Sequence, residues 1–391
     1  MNIQPNPASS VVLSADRPET RLATRLAFLV AGFGVACWAP LVPFAKQRLG
    51  IDDGVLGLLL LCLGVGSIAT MLVAGAVNAR RGSRPVILAG GFGLAVFLPL
   101  LSVVGSPVSL GLTLLGFGAA LGGLDVAMNI HAVEVERDAG KPLMSGFHAL
   151  FSVGGFIGAT LITFLLSWNV APIASTLLAS VLMAIAMAFA APRLLRASHV
   201  DRSGPMIVAP HGIVLLLAAL AMAMFLVEAA ILDWSALLVS GKGLVSEARG
   251  GIGYSIFAIA MTVGRFGGDF VTARVGDRAT LFCGGLVTIA GFALVLLAPI
   301  AVLAMSGFLL IGLGASNIVP VLFRGAGRQH AMPAGLAVAA ITTAGYAGNL
   351  IGPAAIGFVA NAAGLPVAFW LLAALVVPVV LCARAVTTPR P

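Results

Sequence analysis

Asp125, Glu228, Arg265 and Asp269 each stand inside a long apolar run of this chain. A charge at bilayer depth costs about 2.5–3.5 kcal/mol on insertion scales, so such groups mark either function or close pairing. Asp125 is followed one helical turn later by Asn129, which sets an acid beside an amide on one face. That setting suits a carboxyl that takes up and releases a proton; the bland alternative is a structural acid fixed between helices. Glu228 has no cation within a turn of its own run and reads as a second proton-carrying acid or a hydrogen-bonding contact to a solute. Asp233, five residues on and about 140° around a helix, faces elsewhere and reads as a tether of the outer helix end. Arg265 and Asp269 are spaced i, i+4, which favours an intrahelical ion pair; the competing reading is a latch whose acid changes partner between two states.

Further polar groups lie in or beside apolar runs. His148 opens one run and reads first as a packed, hydrogen-bonded ring, second as a proton relay. Asn317, Tyr346 and Asn349 either bond across helices or line a cavity, and Trp38, ahead of Pro40 and Pro43, is an aromatic wall or a packing residue in a bent helix. His131, Glu134 and Glu136 read as solvated, or paired with Arg137 and Lys141.

The elements that must hold these residues are helices in lipid. Of 391 residues, 60% are apolar and only 9% charged, which excludes a water-soluble enzyme and a disordered chain. Runs of about 20 residues, the length that spans a bilayer, number twelve: 22–45, 54–78, 86–104, 110–133, 146–167, 170–190, 212–239, 250–272, 279–298, 301–323, 334–360 and 366–385. The expected layout is a polar cytoplasmic tail over 1–20, a six-helix bundle over 21–190, a linker over 191–211 and a second bundle over 212–391. The net charge of +8 reflects orientation in a membrane, with no case for nucleic acid. Seventeen Lys and Arg fall on the side of the tail and linker against four (Lys46, Arg48, Lys242, Arg249) on the other, which puts both termini in the cytoplasm. Cys37, Cys62, Cys283 and Cys382 lie in apolar runs without CxxC spacing, so neither disulfides nor zinc are expected. No Walker segment, HExxH, GxSxG, metal-ligand cluster or potassium-channel filter occurs, so no enzyme, cofactor or metal is expected.

An offset of 194 residues superimposes Arg80-x-Gly82-x-Arg84 on Arg274-x-Gly276-x-Arg278, Gly154-xxx-Gly158 on Gly348-xxx-Gly352, and Gly57 on Gly251. The halves read as parallel repeats about a central site. Gly118-xxx-Gly122 and Gly264-xxx-Gly268 are further close-packing seams.

The hairpin Gly75-Ala-Val-Asn-Ala79-Arg80-Arg81-Gly82-Ser83-Arg84 resembles the G-x-x-x-D-R-x-G-R-R/K loop signature of the major facilitator superfamily, with Ala79 in place of the Asp and Ser83 in place of an Arg. Gly123-Leu-Asp125-Val-Ala-Met-Asn129, the stretch Ser145 to Gly155, and Glu228 to Ser235 resemble the fucose–proton symporter branch and its YbjJ-like bacterial relatives. The resemblance implies an all-α fold of twelve membrane helices in two bundles, working by alternating access in a bacterial cytoplasmic membrane. It implies gating by Gly75, Arg80, Gly82 and Arg84, with Arg265, Asp269, Arg274 and Gly276 in the second half. It also implies proton coupling at Asp125 and a sugar or related polar metabolite as solute, handled by a monomer. An exporter of amphipathic compounds and a non-transporting receptor of the same fold are the competing expectations.

Overall fold

The computed structural model describes residues 17–195, 209–246 and 251–388. Residues 1–16 of the expected tail and 196–208 of the expected linker lie outside the described residues, as do Arg249 and Arg390. Every regular element among the described residues is helical: α1 Pro18–Trp38, α2 Val42–Leu49, α3 Asp53–Arg81, α4 Ser83–Val103, α5 Pro107–Ala139, α6 Met144–Ser167, α7 Pro172–Ala190, α8 Ile213–Gly241, α9 Ile252–Leu297, α10 Ala301–Ala315, α11 Ile318–Arg328, α12 Ala334–Ala363 and α13 Leu365–Thr387.

Three departures from one helix per crossing have local causes. Pro40 and Pro43 interrupt the first crossing, where a 3₁₀ turn over Ala39–Leu41 joins α1 to α2. The crossing Ala301–Arg328 breaks at Ser316 and Asn317, between α10 and α11. Conversely α9 runs 46 residues, about 69 Å at 1.5 Å per residue, twice what a bilayer core of about 30 Å can hold. Its one non-helical residue, Gly276 at φ 83° and ψ 162°, folds it into the two expected crossings. Gly82, its repeat mate, turns α3 into α4 at φ 77° and ψ 171°. Both need a backbone that only glycine adopts cheaply.

The eleven long apolar helices, with α9 counted as two, make the twelve crossings. Without a hydrophobic drive between helices in lipid, contact depends on close backbone approach. Gly154 and Gly158 of α6 lie against backbone carbonyls of Leu29 and Phe33 in α1, and Gly348 and Gly352 of α12 take the same place against Met222 and Leu226 in α8. Gly118 and Gly122 lie on Leu63 and Ser67 of α3, where Ser67 Oγ also donates to Gly118 O at 2.9 Å. Outward, large apolar side chains such as Phe156, Phe358 and Leu381 are exposed, as lipid-facing positions should be.

The repeat reaches the basic residues. Arg48 donates to the carbonyls of Leu101 (2.9 Å), Ser102 (2.5 Å) and Val104 (3.2 Å), closing the C-terminus of α4. Lys242, 194 positions later, donates to Val295 (3.0 Å), Leu296 (2.6 Å) and Ala298 (3.5 Å), closing the C-terminus of α9. A cation on the unsatisfied carbonyls of a helix end complements both its hydrogen bonding and its dipole. All four cysteines are free.

The site between the two halves

The halves meet through α3 against α12, α6 against the first arm of α9, and α5 and α6 against α11. At one end of this seam Arg324 of α11, 2% exposed, forms a two-pronged pair with Glu136 of α5 through Nε–Oε1 and through Nη2–Oε2 at 3.0 Å. The same guanidinium donates to Asp277, whose other oxygen takes Arg328 at 2.9 Å. Glu136 Oε2 also accepts the N–H groups of Leu143 (2.7 Å) and Met144 (2.8 Å) at the start of α6. This corrects the reading of Glu136 as solvated or paired with Arg137 and Lys141: its partner is Arg324 of the opposite half. Both residues sit at the edges of their apolar runs, and α5 continues six residues beyond its expected end at 133. His131 is corrected too: fully buried, it joins Thr24 Oγ1 (3.1 Å) and the Leu195 N–H (3.1 Å) inside its own half. Arg137 pairs with Asp138 at 3.7 Å.

Asp269 does not pair with Arg265. Its two oxygens accept the N–H groups of Ser145 (3.0 Å) and Gly146 (2.8 Å), the free amides at the N-terminus of α6 in the other half. Those unsatisfied donors and the positive end of the helix dipole offer a carboxylate more than a neighbour on its own helix does. Arg265 turns away: Nη1 donates to Ser152 Oγ of α6 at 2.9 Å, and Nη2 lies 3.5 Å from Glu228 Oε2 of α8. Arg265 Nε and Glu228 Oε1 are buried without a hydrogen-bond partner among the described residues.

Gly75, the repeat mate of Asp269, abuts α12 instead, where a Cβ would come 2.7 Å from that of Ala339. Asn78, 6% exposed, faces Gly335 at the start of α12. Of the hairpin arginines, Arg80 is exposed, Arg84 Nε donates to Ala191 O of its own half at 2.9 Å, and Arg274 lies over the Phe270 ring.

Deeper in the bilayer, Asp125 is 8% exposed and has no ion-pair partner among the described residues. Asn129 Nδ2 donates to its Oδ1 at 3.2 Å and to its backbone carbonyl at 2.9 Å. α12, which carries the half-buried Tyr346, packs against α5, which carries Asp125. Tyr346 and Ser152 are repeat mates, at the same register of α12 and α6, and Ser152 there accepts from Arg265 of the opposite half.

His148 packs between Phe28 of α1 (5.1 Å between centroids) and Phe323 of α11 (5.6 Å), with Nε2 unpartnered among the described residues. Asn317 Nδ2 donates to Gly264 O at 3.1 Å and fills the groove left by Gly264 and Gly268. Trp38 lies in the N-half core at 4% exposure, and Asn349 is exposed. A cleft of about 350 Å³ lined by Phe44, Gln47 and Arg48 touches none of these candidates. No group of His, Cys, Asp and Glu suited to a metal occurs among the described residues.

A fold of two six-helix bundles with its polar groups collected on their seam is that of a membrane transporter. Residues 25–333 match the family model of the Major Facilitator Superfamily, and the chain belongs to that family. An uncharacterized MFS-type transporter of Yersinia pestis is 48% identical over 94% of this chain and 96% of its own length. The membrane protein MosC of Rhizobium meliloti is 29% identical over 92% of this chain and 88% of its own. Among solved structures, the transporter FucP in its outward conformation aligns at TM-score 0.80 and 16% identity, covering 96% of this chain and all of FucP. The human organic anion transporter MFSD10 aligns at 0.74 and 16%, covering 94% of this chain and all of MFSD10. The chain is thus a multi-pass transporter of a small molecule and not an enzyme.

Proposed function

We propose that this chain is a proton-coupled symporter that works by alternating access in a bacterial cytoplasmic membrane, carrying a small polar solute such as a sugar or a related metabolite. Residues 21–190 and 212–391 act as the two moving bodies of a monomer, tied by a cytoplasmic linker over 191–211, with both termini cytoplasmic. The observation that carries the reading is Asp125: buried on α5, which packs against α12 of the opposite half, without a cation partner among the described residues and beside the Asn129 amide. A carboxyl so placed is stable when neutral and costly when charged, so its proton travels with the change of access. Contact between the halves through Glu136–Arg324 and Asp269 lies on the side of the arginine-rich hairpins, which supports an outward-facing state with its cytoplasmic gate shut. The likeness of fold to FucP, a fucose:proton symporter whose matching structure is in the outward conformation, supports the same reading.

The test is proton movement in lightly buffered everted vesicles, scanned over sugars, organic acids and cationic dyes. A solute-specific pH change that Asp125→Asn abolishes, with solute exchange down its own gradient retained, is the expected result. Undiminished accumulation in Asp125→Asn would remove Asp125 from the coupling role.

A further inference from the structure

We infer that Glu228 and Arg265 form a charge-neutral subsite that recognises a vicinal diol of an uncharged solute, an inference that rests on the symporter reading above. Their contact is long, 3.5 Å, and leaves hydrogen-bonding capacity unspent on both partners: Glu228 Oε1 and Arg265 Nε are buried with no partner among the described residues. A pair that served only to neutralise buried charge would close to a fork of two short bonds, as Arg324 and Glu136 do in this same molecule. Arg265 is nine-tenths buried yet donates to Ser152 in the opposite half, so the pair faces the seam through which a solute passes.

The chemistry of the unspent atoms selects the ligand. Glu228 Oε1 needs a donor and Arg265 Nε–H needs an acceptor, and adjacent hydroxyls supply one of each. An anion drawn to Arg265 meets the charge of Glu228, and a cation drawn to Glu228 meets that of Arg265. The subsite therefore discriminates against both kinds of ion. Glu228 in this role is held by its arginine and does not carry the transported proton, which leaves that task to Asp125.

The full-length protein in nanodiscs, titrated calorimetrically with a neutral hexose and polyol set, a hexuronate set and a hexosamine set at pH 7, tests the inference. The wild type is expected to bind a neutral member at least tenfold more tightly than its charged analogues. Glu228→Gln, with Arg265 left unpaired, gains the hexuronate; Arg265→Gln gains the hexosamine; each loses the neutral ligand by tenfold or more. Gains of binding cannot come from misfolding, and the selectivity of the wild type needs no variant. Wild-type preference for a charged member, or no neutral ligand bound, overturns the subsite. If a charged solute nonetheless drives a pH change lost in Asp125→Asn, the symporter reading stands without it. A neutral diol that binds with the expected selectivity but moves no protons upholds the subsite and overturns the coupling.

Discussion

Replacing Arg324 with Met should unlock the end of the seam beside the Gly82 and Gly276 turns. The side chain is 2% exposed and holds both Glu136 across the halves and Asp277 beside it. Breaking a buried pair costs about 3–5 kcal/mol, and the lower figure applies because Glu136 keeps the N–H groups of Leu143 and Met144. If the pair exists only while this end is shut, about 3 kcal/mol shifts the balance of open to shut by roughly a hundredfold at 1.4 kcal/mol per decade. A reporter is available at Ala339, which is 7% exposed and abuts Gly75 across the seam. With the four native cysteines replaced, Ala339→Cys in everted vesicles should react slowly with an impermeant maleimide, and up to a hundredfold faster once Arg324→Met is added. Adding Glu136→Gln should recover part of the thermal stability, because the leftover charge is gone, without restoring protection. Unchanged labelling in a protein whose melting temperature has fallen would refute the gate and leave Arg324 as scaffold.

Other perturbations test the remaining contacts. Asp269→Asn should lower melting by the loss of a charge–dipole contact, about 0.5–2 kcal/mol, and should sensitise the Ala339→Cys reporter; an effect on melting alone would confine Asp269 to a structural role. Gly154→Leu and Gly348→Leu should both lose expression or melt well below the wild type, because each side chain would be driven into a facing backbone; a tolerated substitution at either would break the equivalence of the two seams. Lys242→Met should destabilise by about 1–3 kcal/mol, seen as a fall in melting temperature, and add to Arg48→Met, since the two caps are in different halves.

The crossings were legible because lipid enforces them: a run of about 20 apolar residues has few other uses. The repeat was legible through glycines, and it proved to extend to Arg48 and Lys242, whose shared offset was visible but whose helix-end partners are 53 to 56 residues away in sequence. Asp125 and Asn129 were legible because their contact is local. The ion pair favoured for Arg265 and Asp269 was wrong for the same reason, while the competing latch reading is left standing: i, i+4 spacing permits a pair, but the amides of α6 and the carboxylate of Glu228 are partners that exist only after the helices pack. The Glu136–Arg324 pair was missed because each residue stands where an apolar run fades: Glu136 was read as solvated or paired with Arg137 and Lys141, and Arg324 was counted among the loop cations. The signal available was Arg324 four residues past Pro320, inside a helix that continues to Arg328.

The bend at Gly276 joins the two arms of α9 with no loop between them. The first arm thus bears Arg265, then Asp269 about 6 Å further along, and Asp277 stands just past the bend. With no slack to absorb a local shift, a displacement at the solute end is passed on as rotation of a stiff beam. The contacts to α6 and the arginine network at the far end should then release together or not at all. Single substitutions along the beam should therefore alter how often the seam opens while leaving the opening itself all-or-none.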